Sequence, residues 1–152
     1  MPGLLGKELR KFDQVNRMTI PPRYRKELGD DIVIMMPLTD VPCLMIFSEE
    51  SWDSFNDRVL EAFSGEDQAE VQRIIADRAE PLTVDKAGRI SIGEDFKDYA
   101  GLGEEVLAVG LTDRIELWDP NVWAERNAKK LEESKKKFDF SGINLSAPRR
   151  KE

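Results

Sequence analysis

The chain has 152 residues, 40% of them hydrophobic, a formal net charge of −7, a single cysteine and no histidine. That length and apolar content are enough for one ordinary domain or two small ones, and the lone Cys43, set among apolar neighbours, excludes an internal disulfide or a cysteine zinc cluster. Without histidine the commonest general base and metal ligand is missing, so neither catalysis nor a metal or cofactor is expected.

Residues 1–7 hold no apolar stretch long enough for a secretion signal, and no window reaches the length needed to cross a bilayer; a cytoplasmic protein is expected. The first structured segment begins near Leu5 and leads into Phe12-Asp13-Gln14-Val15-Asn16-Arg17-Met18-Thr19-Ile20. In its last four residues polar and apolar side chains alternate with the period of a strand. Met18 and Ile20 then enter a core, while Arg17 and Thr19 face away from it. Asp13 opens a four-residue connection that closes on Asn16, a residue type tolerant of positive φ. The segment therefore reads as a hairpin turn whose carboxylate accepts backbone N–H groups. Pro21 to Gly29 follows as a short helix with proline at its start and glycine at its end. Tyr24 and Leu28, four apart, should face inward, leaving Arg23 and Lys26 outside.

Two apolar runs, Ile32 to Met36 and Leu44 to Phe47, flank the turn residues Leu38-Thr39-Asp40 and predict two strands. Ser48 caps a helix carrying Trp52, Phe55, Val59, Leu60 and Phe63 at helical spacing. After the Ser64-Gly65 break a second helix continues with Val71, Ile74 and Ile75. Both helices are acidic on the outer side and are expected to cover the sheet.

From Val84 the same message is repeated, 72 residues on. Val84-Asp85-Lys86-Ala87-Gly88-Arg89-Ile90-Ser91-Ile92 keeps the phase of the first motif, with Ile90 and Ile92 inward and Arg89 and Ser91 outward. The short helix that follows, Glu94 to Gly101, retains an inward aromatic residue but is acidic outside. Val106 to Val109, Leu111-Thr112-Asp113 and Ile115 to Trp118 again predict strand, turn and strand. Asp119 caps a last helix running to about Lys137, whose closing Lys135-Lys136-Lys137 suits the negative end of the helix dipole. The organisation expected is a first repeat over residues 5–63, a connecting helix over 64–80, and a second repeat with the C-terminal helix over 81–137. Residues 138–152 lack periodicity and read as a flexible tail. Each half alone would be marginal, so the halves are expected to share one sheet system or to pair with another subunit.

Charge is unevenly placed. Residues 1–30 carry +3, residues 31–84 carry −9, residues 85–128 carry −5 and residues 129–152 carry +4. An acidic molecule repels phosphate as a whole, so any nucleic-acid contact is expected at the first motif or the tail. A guanidinium held outward at a hairpin end has the geometry for phosphate and base edges. The two motif aspartates can equally be mere turn-formers.

An Asp-x-x-x-Arg hairpin repeated in tandem, each copy followed by a strand, a short helix and two further strands, resembles the MraZ family over about Leu5 to Trp123. The resemblance implies an α+β fold of tandem pseudo-symmetric β-hairpin, helix and β repeats, with an AbrB-like β-barrel core and packed helices. It also implies a transcriptional regulator of the bacterial division and cell-wall gene cluster. Such a protein would bind repeated boxes in promoter DNA, its own upstream region included, as a ring-shaped homo-oligomer in the cytoplasm and on the nucleoid. Neither a membrane nor a small-molecule substrate is implied. On these terms Arg17 contacts DNA with Thr19, Arg10, Lys11 and Arg23 nearby, and Asp13, Asn16, Asp85, Gly88 and Arg89 build the two motif turns. The second copy, Asp85 to Arg89, follows the family pattern closely. The first departs from it: Val15 stands where a lysine is usual and Asn16 where glycine is usual, which removes one cation from the expected DNA face. The alternative is an AbrB-like or antitoxin-like module of the same fold group that acts mainly through a protein partner.

Overall fold

The structure is a computed structural model, and it describes residues 3–144. The chain order is β1 (Leu5–Lys11), β2 (Arg17–Thr19), α1 (Pro22–Leu28), β3 (Asp31–Met35), β4 (Leu44–Ser48), α2 (Glu49–Glu61) and α3 (Glu66–Arg78). The second half continues with β5 (Ala79–Thr83), β6 (Arg89–Ser91), α4 (Glu94–Ala100), β7 (Glu105–Leu111), β8 (Ile115–Trp118) and α5 (Pro120–Lys137). Each half thus follows the expected sequence of elements. α3 lies in sequence between the two, and the fold is α+β.

Pairing between strands crosses from one repeat to the other. Six strands form one antiparallel sheet in the order β1-β7-β8-β4-β3-β5, and β2 and β6 form a separate two-stranded ribbon. β1 of the first repeat lies against β7 of the second, with Leu5 opposite Leu111 and Lys11 opposite Glu105. β5 of the second repeat lies against β3 of the first, with Asp31 opposite Thr83. Neither half can therefore complete its hydrogen bonding without the other.

The barrel core implied by the resemblance is not closed. β1 and β5 are the two edges of the six-stranded sheet, and no ladder joins them. The reason lies in β2 and β6: each is three residues long and pairs with the other instead of extending the ladder of its own hairpin partner. Pro81 sits in β5, where an edge strand tolerates a residue without an N–H.

The period-two pattern is obeyed at the ribbon. Met18, Ile20, Ile90 and Ile92 are all at most 2% exposed and enter the main core with Tyr24, Leu28, Ile32, Ile34, Leu44, Ile46, Phe96, Val106, Ile115 and Leu117. Burying each such side chain is worth about 1.5–3 kcal/mol, so both repeats stabilise one shared core. The Tyr24 hydroxyl donates to the Gly6 carbonyl at 2.6 Å, which satisfies the one polar atom of a fully buried ring. Cys43 is fully buried among these elements, as a small hydrophobe would be.

A second cluster forms where α2 and α3 cover the sheet. Met35, Met45, Phe47 and Ile75 pack with Trp52, Phe55, Val59 and Val71. The Ser48 hydroxyl accepts from the Ser51 N–H at 3.1 Å and caps α2 as expected. Phe63 and Ile74 depart from the expected inward stripe and are exposed. Phe63 lies beyond the end of α2, and Ile74 is turned one residue away from the Val71 and Ile75 line on α3.

Gly110 marks a close approach: a Cβ there would fall 2.4 Å from the Leu5 nitrogen. Only glycine lets the start of β1 lie against β7 at that point. By compactness the chain divides after Pro120. The second unit holds α5, and beyond it the Phe138 N–H donates to the Ser134 carbonyl. Among the described residues no helix is long and apolar enough to cross a membrane.

Candidate nucleic-acid interface

The Asp-x-x-x-Arg motif builds one compact turn twice. In the first, Asp13 Oδ1 accepts the Val15 N–H at 2.9 Å and the Arg17 N–H at 3.0 Å, while Oδ2 accepts Arg17 Nε at 2.8 Å. Asn16 takes φ 60, the left-handed conformation the turn requires. In the second, Asp85 Oδ1 accepts the Ala87 and Arg89 N–H groups, both at 2.9 Å, and Oδ2 accepts Arg89 Nε at 2.9 Å, with Gly88 at φ 82. The spacing has a mechanical meaning. A carboxylate four residues ahead of an arginine can orient its guanidinium through Nε and still close the loop.

That arrangement lowers the pKa of both aspartates. For Asp13 the main cause is the Arg17 backbone N–H, opposed by desolvation and aided by the Val15 N–H and the Arg17 guanidinium. For Asp85 it is again a backbone N–H, that of Arg89, with the Arg89 guanidinium and the Ala87 N–H adding to it against desolvation. A carboxylate whose folded pKa is depressed contributes stability above its unfolded value, and that contribution is lost as pH falls through the folded value. The carboxyl carbons of Asp13 and Asp85 should therefore titrate below the ordinary 3.8 of an aspartate. Midpoints at 3.8 or above, followed by NMR, would show that the turns do not hold their carboxylates in this way.

The ribbon places the two turns at opposite ends of one surface. Arg17 is paired with Ser91 and Thr19 with Arg89, so all four side chains point away from the core on the same face. At about 3.3 Å per residue, Arg17 and Arg89 are separated by about 7 Å along the ribbon. Their side chains are 35% and 37% exposed, and among the described residues the terminal nitrogens of neither make a hydrogen bond or ion pair. Each guanidinium is thus anchored through Nε and presents its outer edge to solvent. That edge is the part that binds a phosphate or a guanine in bidentate fashion.

Each turn is also clasped by the short helix of the other repeat. Asn16 Nδ2 donates to Glu94 Oε1 at 2.6 Å, Lys97 Nζ donates to Asn16 Oδ1 at 2.9 Å, and the Ile92 N–H donates to the Asn16 carbonyl at 3.0 Å. At the other end the Ile20 N–H donates to the Gly88 carbonyl at 2.8 Å. There the Arg25 guanidinium lies against Gly88, so close that a Cβ would fall 2.7 Å from its Nη1. Arg25 and Lys97 are 72 residues apart, the same offset as the repeat. Asn16, in the place of the usual glycine, supplies the amide that ties the first turn to α4.

The remaining candidate residues are placed differently. Arg23 Nε donates to Glu8 Oε2 at 3.0 Å, and Arg10 lies 3.6 Å from the other Glu8 oxygen while donating to the Leu9 carbonyl. Glu8 therefore gathers both cations on β1 and partly neutralises them. Lys11 and Thr19 are exposed, and Val15 is 61% exposed at the tip of the first turn. Arg25, Lys97 and Glu94 were not singled out from the sequence. The signal that would have found the two cations is their matching position in the two short helices. Among the described residues no group of carboxylate or cysteine side chains is arranged to hold a metal ion.

Comparison with known proteins places the chain in a family. The family model described as "MraZ protein, putative antitoxin-like" matches the chain twice, over residues 4–74 and 75–140. The chain is 33% identical over 126 residues to the transcriptional regulator MraZ of Proteus mirabilis, covering 80% of this chain and 82% of that protein. It is 32% identical over 120 residues to the protein of the same name from Photorhabdus laumondii, covering 76% and 78%. With the one from Paenarthrobacter aurescens it shares 30% identity over 122 residues, covering 80% and 84%. None of the three is named for a catalysed reaction.

Proposed function

Because the chain belongs to the MraZ family, we propose that it is a sequence-specific DNA-binding transcriptional regulator, and not an enzyme, which reads promoter DNA with the outward face of its β2 and β6 ribbon. The observation that carries this reading is the pair of guanidinium edges, Arg17 and Arg89, held outward by their own aspartates on one surface of an otherwise acidic molecule. Ser91, opposite Arg17, and Thr19, opposite Arg89, add hydroxyl groups to the same face as hydrogen-bonding partners for phosphate or base edges. Lys11 and Lys86, both exposed beside the turns, extend the positive strip. Arg10 and Arg23, shared with Glu8, contribute less.

Two arginines on a short ribbon give weak binding. A homo-oligomeric ring therefore sets several ribbons against repeated boxes, so that each further contact is intramolecular. The target is DNA upstream of the protein's own gene in the division and cell-wall gene cluster, and the protein works in the cytoplasm on the nucleoid. A titration of that DNA at several salt concentrations tests the reading. Each phosphate neutralised adds about −0.9 to the slope of log affinity against log salt, so one engaged ribbon predicts a slope of about −2 and a ring a multiple of it. A flat response, or equal affinity for unrelated duplex, would favour the antitoxin-like reading in which a protein partner is the ligand.

A further inference from the structure

The C-terminal unit has a charge of its own. Residues 121–152 hold nine basic and five acidic side chains, so +4 stands beside −11 for residues 1–120. On α5, Lys130 pairs with Glu133 and Lys135 with Glu132, each at 3.4 Å and exposed to solvent. Such pairs are easily displaced by a stronger anion. Among the described residues Lys136 and Lys137 meet no carboxylate, and Lys137 Nζ instead lies 5.6 Å from the Phe138 ring centroid.

Immediately past the helix two aromatic rings are left in water. Phe138 is 50% and Phe140 62% exposed, their centroids 6.2 Å apart and their planes inclined by 47°. With Leu131, Lys135, Lys136 and Lys137 they line a cleft of about 430 Å³. The one carboxylate in this cleft, Asp139, accepts the N–H and hydroxyl of Ser141. Three ammonium groups at the rim of an aromatic-lined cleft suit a ligand that is both planar and anionic.

We propose that this helix end is a second nucleic-acid site, which binds single strands without sequence preference. A base stacks on the Phe138 and Phe140 rings while the flanking phosphates lie against Lys135 to Lys137. A duplex is the poorer fit, because its bases are already stacked and offer no face to an exposed ring. An anionic membrane is also the poorer fit, because Leu131 is the only apolar residue between Lys129 and Lys137 and these last turns of the helix have no apolar face to insert. The site shares no residue with the ribbon, so it stands or falls independently of it.

Anisotropy of a fluorescent twelve-residue oligo(dT), titrated with the full chain at 50 and 200 mM salt, tests the proposal. Phe138→Ala with Phe140→Ala should weaken binding by about 5- to 150-fold per base lost. Lys135→Gln, Lys136→Gln and Lys137→Gln together should flatten the salt slope by about 2, at about 0.7 per phosphate. Arg17→Ala with Arg89→Ala should leave most of the oligo(dT) affinity in place. Binding that survives the phenylalanine changes, or disappears with the two ribbon arginines, would overturn the proposal. So would phosphatidylserine vesicles captured through Phe138 and Phe140 in the absence of any oligo(dT) binding. Circular dichroism of each variant confirms that α5 is retained.

Discussion

Replacing Arg17 with alanine should lower affinity for the upstream DNA by about 10- to 100-fold, and replacing Arg89 as well should abolish measurable binding. Loss of a bidentate arginine contact is worth about 1–3 kcal/mol. In an assembly every subunit loses it at once, so the deficit multiplies through the effective concentration. The folded state should hardly notice. Both ion pairs are solvent-exposed, a class that contributes about 0–1 kcal/mol, and each aspartate keeps its two backbone N–H donors. Arg17→Lys is the informative intermediate: it retains a point charge for phosphate but not the fork for a base edge. It should recover part of the affinity and lose discrimination between boxes and unrelated duplex. An unchanged affinity in the double alanine variant, with the thermal midpoint also unchanged, would remove the ribbon from the recognition surface.

The largest effect on stability is expected from Ile34→Ala. Ile34 is fully buried on β3, between Ile46 on β4 and Glu80 on β5. Removing that side chain should cost about 2–5 kcal/mol. At about 2–4 °C per kcal/mol for a chain of this size, the thermal midpoint should fall by about 4–20 °C. The more telling expectation concerns where the loss appears. β3 carries β5 of the other repeat, and the core beneath it is common to both halves. Hydrogen-exchange protection should therefore fall in β7 and β8 as much as in β3 and β4, with a single unfolding transition for residues 3–120. Loss confined to the first repeat, or two separate transitions, would mean that the halves fold independently despite their crossed pairing.

Local features were legible because they depend on neighbouring residues. Alternation over four residues placed Met18, Ile20, Ile90 and Ile92 in the core. The Asp-x-x-x-Arg spacing with a left-handed Asn16 or Gly88 defined both turns. Proline and glycine bounded α1, and Ser48 marked the start of α2. Crossed pairing was not legible, since β1 with β7 and β3 with β5 join residues far apart in sequence, and hydrophobic pattern is the same whichever strand lies alongside.

The site was read only in part for a related reason. Counting charges near the first motif grouped Arg10 and Arg23 with Arg17, but the count does not show that Glu8 gathers the first two. Placing the nucleic-acid contact at the basic first motif separated Arg89 from Arg17, whereas the ribbon register sets them on one face. The Asn16 clasp depends on Glu94 and Lys97, 78 and 81 residues away. Substituting asparagine for the usual glycine was visible in the sequence as a departure. Its bond to α4 was not.

In the proposed complex two guanidinium edges, one from each repeat, meet the nucleic acid together. Arginine Nε–H resonances of the protein, followed by NMR while its upstream DNA duplex is added, report on it directly. The Arg17 and Arg89 signals should shift in parallel and saturate at the same DNA concentration, with the Arg23 signal shifting least. Shifts confined to the arginines of α1 or α5, with Arg17 and Arg89 unmoved at saturation, would contradict it.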